Sequence, residues 1–200
     1  MQKFIIIKTM KNKAKFMASD IAECAIFIVL MVAGTFIQIP LPFMPLTFQT
    51  VISVLAGLSL GWKKGIISMA VYCFMGLVGL PVFTGGGGFA YVLKPSFGYI
   101  LGFIAAAGVG GAIVGRGKPS ARRYILAALA AFLVDYIIGI PYCIVAAHLL
   151  GVEDLTHLFI YSNLIFMPKD AALSILGALL AKSVSPYIRR RTKKEPETIS

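Results

Sequence analysis

Lys169 and Asp170 are the residues of this 200-residue chain whose types and position most directly imply chemistry. They open an apolar run, FMPKDAALSILGALLA, where Pro168 suits the first helical position because no N–H is needed there. Asp170 then falls in the first turn, where the helix dipole favours a carboxylate. Such a pair can clamp a ligand. The carboxylate accepts from N–H groups, and the ammonium at a helix N-terminus receives an anionic group. The ordinary alternative is an N-terminal cap beside a snorkelling lysine. Asp135, in FLVDYIIGIPY, sits in the middle of another apolar run. A lone charge there costs about 2.5–3.5 kcal/mol on insertion scales, so it faces the bundle interior, pairs or is protonated. It serves either as a hydrogen bond between helices or in a ligand or proton role. Thr47 and Gln49, in PLTFQT, follow a proline-rich turn and can bond across helices or point into a cavity.

The segment GLPVFTGGGGFAYVLKPSFGY, residues 79–99, is neither continuously apolar nor strongly charged. Its centre, Gly85, Gly86, Gly87 and Gly88, lies between runs long enough to cross a bilayer. Irregular backbone near a membrane has to be covered by protein or line a cavity. Glycine permits positive φ and close approach to the backbone. The segment is therefore either a loop that closes over a small ligand or a flexible turn between helices.

Other chemistries lack their residues. Cys24, Cys73 and Cys143 are odd in number and lie in apolar segments, without metal-ligand spacing. His148 and His157 have no partner pattern, so neither a metal nor a cofactor is expected. GRGKPS lacks the glycine spacing of a phosphate loop, and Pro119 stands where the hydroxyl residue belongs. No catalytic triad or carboxylate pair stands out, so the chain is not expected to be an enzyme.

The elements that position these residues follow from composition. Hydrophobic residues make up 58% and charged residues 14%, with mean hydropathy +0.87, which places a single domain of residues 1–200 in the membrane class. The net charge of +11 is gathered in short clusters between apolar runs, which argues against nucleic acid as a partner. A basic lead, about residues 1–16, precedes six expected membrane helices: 18–39, 46–60, 66–80, 96–114, 124–150, and one from 163 or 168 to about 183. GWKKG forms a tight turn, Pro141 kinks the fifth helix, and a charged tail, about 185–200, follows. The first run ends in GTFIQIP, without a small-residue cleavage site, and is expected to remain as a helix. Six helices put every one of the 19 basic residues except Lys94 and Lys169 on one side. That side is the cytoplasm by the positive-inside rule, so both termini are expected there in the cell membrane. Ala14, Ala18 and Ala22 form a small-residue row at the cytoplasmic end of the first helix, which lets another helix approach.

PLTFQT, GLPVFTGGGG, PSFGY and PKD occur in the order seen in BioY proteins, the biotin-binding S components of energy-coupling-factor (ECF) transporters. The resemblance runs from about Phe16 to Ser183. It implies an all-α, six-helix S-component fold in contact with membrane lipid, with a biotin pocket near the extracellular side. It implies uptake powered by a separate transmembrane coupling protein and two cytoplasmic ATPases. By position, Asp170 would accept from the ureido N–H groups, the Gly85–Gly88 backbone and Tyr99 would enclose the ligand, and Gln49 and Thr47 would line the cavity. Ala14, Ala18 and Ala22 would face the coupling protein. The chain departs from the family pattern where a lysine often follows the aspartate by three residues; here that position is Leu173. Lys169 and Lys94 each replace a glycine common in the family. Lys169, ahead of Lys94, is expected to take over the valerate carboxylate. The alternatives are an S component for another vitamin, a proton-coupled secondary transporter using Asp135 or Asp170, and an enzyme acting on membrane lipid.

Overall fold

The computed structural model describes residues 18–39, 45–115, 120–152, 154, 163 and 166–194. Within them run six α-helices: α1 Ala18–Phe36, α2 Gln49–Leu60, α3 Trp62–Leu77, α4 Phe97–Val114, α5 Ala121–Leu149 and α6 Phe166–Lys194. A short 3-10 helix, Phe89–Leu93, lies between α3 and α4. Four spans, Ala18–Phe36, Phe97–Val114, Ala121–Leu149 and Phe166–Ile188, are long and apolar enough to cross a membrane. With 12 and 16 residues, α2 and α3 are shorter. At about 1.5 Å per residue both fall short of a hydrocarbon core roughly 30 Å thick.

The middle of the bundle is α4. Its sequence, FGYILGFIAAAGVGGAIV, is so rich in glycine and alanine that neighbours pack against it at backbone distance. A Cβ on Gly57 of α2 would stand 2.2 Å from the Ala107 carbonyl oxygen of α4, and one on Gly111 of α4 would stand 2.3 Å from the Trp62 nitrogen. The α2–α3 hairpin is thus pressed onto α4 with no side chain between. The outer faces of α1 and α6 are apolar and exposed, with Ile21, Ile26 and Val29 on one and Leu176 and Leu180 on the other. In a bilayer such faces meet lipid chains as apolar as themselves.

Several boundaries differ from expectation. Residues 61–65 are not a turn: α3 begins at Trp62, and Gly61 alone, with φ 84°, reverses the chain. Lys64 then lies in the first turn of α3 and forms a part-buried ion cluster with Asp20, at 2.9 Å, and Glu23 of α1. Its position therefore has a structural cause in the packing of α3 against α1. The Ser120 side chain caps α5 by accepting from the Arg123 N–H, which starts that helix three residues early. The helix continues unbroken through Pro141. The tail expected after residue 184 is helical as far as Lys194. Because α6 begins at Phe166, Pro168 is its third residue, still where no intrahelical N–H is needed, and Asp170 lies just beyond the first turn.

The close approach at Gly57 is testable against a matched control. Alanine normally favours a helix interior over glycine by about 1 kcal/mol. Gly177→Ala places its Cβ 3.6 Å from Val51, an ordinary contact, and should leave thermal stability in detergent unchanged or raised. Gly57→Ala must push α2 off α4 and should destabilise by about 1–3 kcal/mol. Equal melting of the two variants would show that the helices are not in backbone contact there.

Candidate functional site

The glycine segment forms a built turn at the end of α3. Phe83 and Gly86 exchange backbone hydrogen bonds of 2.9 and 3.0 Å, and the Gly88 N–H donates to the Gly76 carbonyl at 2.7 Å. The Phe83 ring covers Gly76, where a Cβ would lie 2.0 Å from ring carbon, and a Cβ on Gly87 would meet the Leu80 carbonyl at 2.1 Å. The backbone of this irregular stretch thereby finds hydrogen-bond partners inside the protein. The Lys94 ammonium donates to the Gly85 carbonyl at 3.2 Å and sits 4.8 Å from the Tyr91 ring centre. It fastens the turn to the segment that follows.

Beneath this turn lies a cavity of about 50 Å³. Thr84, Tyr91 and Ser96 line it from the loop side, joined by hydrogen bonds of 2.9 and 3.1 Å through the Tyr91 hydroxyl. Gly85–Gly88 stand behind these side chains and are not in the lining. Thr47, Gln49, Tyr99, Lys169 and Asp170 do line it, so five residues scattered from 47 to 170 meet in one place. Ile100, Phe103 and Phe166 supply apolar wall.

Asp170 is buried and doubly engaged. One oxygen accepts from the Tyr136 hydroxyl at 2.8 Å, and the other lies 2.8 Å from the Lys169 ammonium. Lys169 also donates to the Thr47 carbonyl at 2.6 Å and sits 5.3 Å from the Phe48 ring centre. A buried charge has to be paired, and this one is, with one oxygen hydrogen-bonded to Tyr136 and the other held in the ion pair with Lys169. The Gln49 amide nitrogen meets the Tyr72 hydroxyl at 2.6 Å and the Thr35 hydroxyl at 2.8 Å. The Tyr99 hydroxyl donates to the Asn163 amide oxygen at 2.5 Å, and its ring fills the space left by Gly139.

Asp135 is fully buried but outside the lining. Among the described residues its carboxylate oxygens lack well-formed hydrogen bonds, with the Thr50 side chain as polar neighbour. A Cβ on Gly102 would stand 2.1 Å from one of those oxygens, so the carboxylate is packed against α4. Leu173 is half-buried and also outside the lining. Ala18 and Ala22 are exposed on α1, while Ala14 lies outside the described residues. Among the described residues no group of three or more His, Cys, Asp or Glu side chains could hold a metal.

The sequence reading passed over Thr35, Tyr72, Tyr136 and Asn163, which fix the polar groups of the site. Phenols in apolar helices were the available signal, because a buried tyrosine hydroxyl needs a partner. Tyr72 and Tyr136 each mark a place where another helix has to supply one.

The family model for the BioY family matches residues 9–190. A protein of Lysinibacillus sphaericus named "Probable biotin transporter BioY" is 40% identical over 82% of this chain and 86% of its own length. The "Biotin transporter BioY" of Thermotoga maritima is 36% identical over 60% of this chain and 72% of its own. A crystal structure of the S-component for biotin from an ECF-type ABC transporter superposes with a TM-score of 0.68 at 26% identity, covering 84% of this chain and 90% of that one. With its sequence matched almost from end to end and its helices superposing on that S-component, the chain belongs to the BioY family.

Proposed function

We propose that this chain is the biotin-capture subunit of an ECF-type uptake system. The observation that carries the proposal is the meeting of Gln49, Lys169 and Asp170 in one cavity under the glycine turn. Biotin offers two ureido N–H donors at one end and a carboxylate at the other. Asp170 is an acceptor suited to the first end, and Lys169 a cation suited to the second. The two neutralise each other at 2.8 Å. Binding exchanges that pair for ligand contacts, with Lys169 swinging on its flexible four-carbon stem toward the valerate.

A cavity of about 50 Å³ is far below the roughly 300–1,000 Å³ of ordinary ligand sites, so capture requires a wall to move. The loop that carries Thr84, Tyr91 and Ser96 is that wall. Gly79 and Gly88, with φ 107° and 106°, hold it in conformations that favour glycine.

All six helices span the membrane in this reading, α2 and α3 as a short hairpin covered by its neighbours. The cavity end faces outward, and both termini are cytoplasmic, as the lysine- and arginine-rich connectors require. The apolar outer face of α1, with Ala18 and Ala22, meets the transmembrane coupling protein, and two cytoplasmic ATPases supply the energy. Relatives named as transporters, together with the absence of catalytic motifs from the sequence, leave no support for the enzyme reading.

Calorimetry on the detergent-purified chain tests the substrate. Biotin should bind tightly and in preference to desthiobiotin, with no binding of thiamine. A folded protein that ignores biotin and takes another vitamin would overturn the assignment. Single variants then test the two ends of the ligand. Asp170→Asn should weaken biotin binding roughly 10- to 100-fold, as expected for loss of a charge-assisted hydrogen bond of about 1.5–3 kcal/mol. Lys169→Ala should weaken biotin but leave biotinamide, which lacks the carboxylate, at wild-type affinity. Wild-type binding of biotin by Lys169→Ala would remove that lysine from the carboxylate site.

A further inference from the structure

The polar contacts around Gln49 determine which end of its amide faces the ligand. The Thr35 hydroxyl lies 3.0 Å from the Met31 carbonyl, and the Tyr72 hydroxyl lies 3.0 Å from the Val82 carbonyl. Carbonyls accept only, so the Tyr72 proton is directed to Val82, while the Thr35 proton goes either to Met31 or to the Tyr72 oxygen 3.2 Å away. Both hydroxyls then present lone pairs to Gln49, at 2.8 and 2.6 Å. The group between them must donate twice, which the amide NH₂ does and the amide oxygen does not. The Met31 carbonyl, 3.4 Å from the same nitrogen, is a third acceptor on that side. The reverse orientation would draw the Tyr72 proton away from the buried Val82 carbonyl, and a buried acceptor left unmade is costly.

From this we infer that Thr35 and Tyr72 are positioning residues that lock the Gln49 amide with its oxygen toward the cavity, making Gln49 a second acceptor, beside Asp170, that selects ligands bearing an N–H donor. The inference rests on the biotin reading for the identity of the ligand, but the orientation itself rests on the contacts alone. Gln49 lines the cavity, and no hydrogen bond from a described residue reaches its oxygen. A ligand with two N–H groups on one ring meets one acceptor from the head of α2 and one from the head of α6. Val82 precedes the glycine run, so the lock also depends on the loop being in place: Tyr72 donates to the loop backbone while accepting from Gln49.

Two measurements test this on the full-length protein. The first needs no ligand. In chain labelled with ¹⁵N-glutamine, the side-chain amide protons of Gln49, assigned by their loss in Gln49→Ala, should exchange with D₂O at least tenfold more slowly than those of the exposed Gln38. Thr35→Val and Tyr72→Phe should each speed that exchange, and Thr35→Ser should not. Exchange as fast as at Gln38 in the wild type would mean that the NH₂ faces the cavity, and would overturn the inference. The second uses biotin and its two ureido N-methyl derivatives. The wild type should bind biotin at least tenfold more tightly than either derivative, each of which has lost one N–H. Thr35→Val and Tyr72→Phe should shrink that ratio for the nitrogen facing Gln49 and keep it for the one facing Asp170, with Thr35→Ser restoring wild-type selectivity. Unchanged ratios in both variants would also overturn the inference. Failure of the wild type to bind biotin would instead defeat the substrate reading, and the exchange measurement would still decide the orientation.

Discussion

A carboxylate set among apolar helices has to be paired within the protein, and the pairing of Asp170 organises the cavity end of this molecule. Its two oxygens tie the head of α6 to α5 through Tyr136 and to Lys169, which reaches on to the Thr47 carbonyl at the approach to α2. Three elements far apart in sequence are thus held by one charged group. The same contacts leave the cavity small. A site whose ions neutralise each other avoids the several kcal/mol that a bare buried charge would cost.

The same requirement governs the backbone. Helices satisfy their own N–H and C=O groups, but the stretch between α3 and α4 does not. The protein supplies the missing partners from the end of α3 and from the turn itself. Glycine is needed for two distinct reasons there. Gly86 and Gly88 adopt φ near 105°, which other residues avoid, while Gly87 lies so close to the Leu80 carbonyl that no Cβ fits. The run therefore specifies a compact turn, and the side chains that reach the cavity are its neighbours Thr84, Tyr91 and Ser96.

Much of the framework was legible because it is written in local pattern. The six apolar runs and the Lys169–Asp170 pair required only hydropathy and the cost of charge in a membrane. What escaped depends on partners distant in the chain. Tyr136 and Asn163 are unremarkable until the fold places them beside Asp170 and Tyr99. Lys64 read as a topogenic charge because Asp20 and Glu23, its partners on α1, lie more than 40 residues away. The last helix was expected to stop near residue 183, where the charge of the tail begins. The helix continues to Lys194 because arginine and lysine are good helix formers and no glycine or proline intervenes after Pro186. The glycine run declared a special backbone without declaring which way it would fold.

Asp135 shows why burial alone does not place a residue in the cavity lining. It is as deeply buried as any group in the protein, yet it lies outside the cavity lining, with Gly102 of α4 pressed against one oxygen. Room for a ligand atom there would require α4 and α5 to separate. They are held together on the same side by Gly98 against Tyr142 and Gly139 against Tyr99. Those contacts make Asp135 a group of the helix interface, with Thr50 of α2 as its polar neighbour. Asp170 differs through its place at the head of a helix. Backbone there is not yet enclosed by neighbouring turns, a lysine stands beside it, and the glycine turn rather than another helix lies above. A carboxylate in the middle of a helix can be shielded, while one at the head of a helix can also be reached.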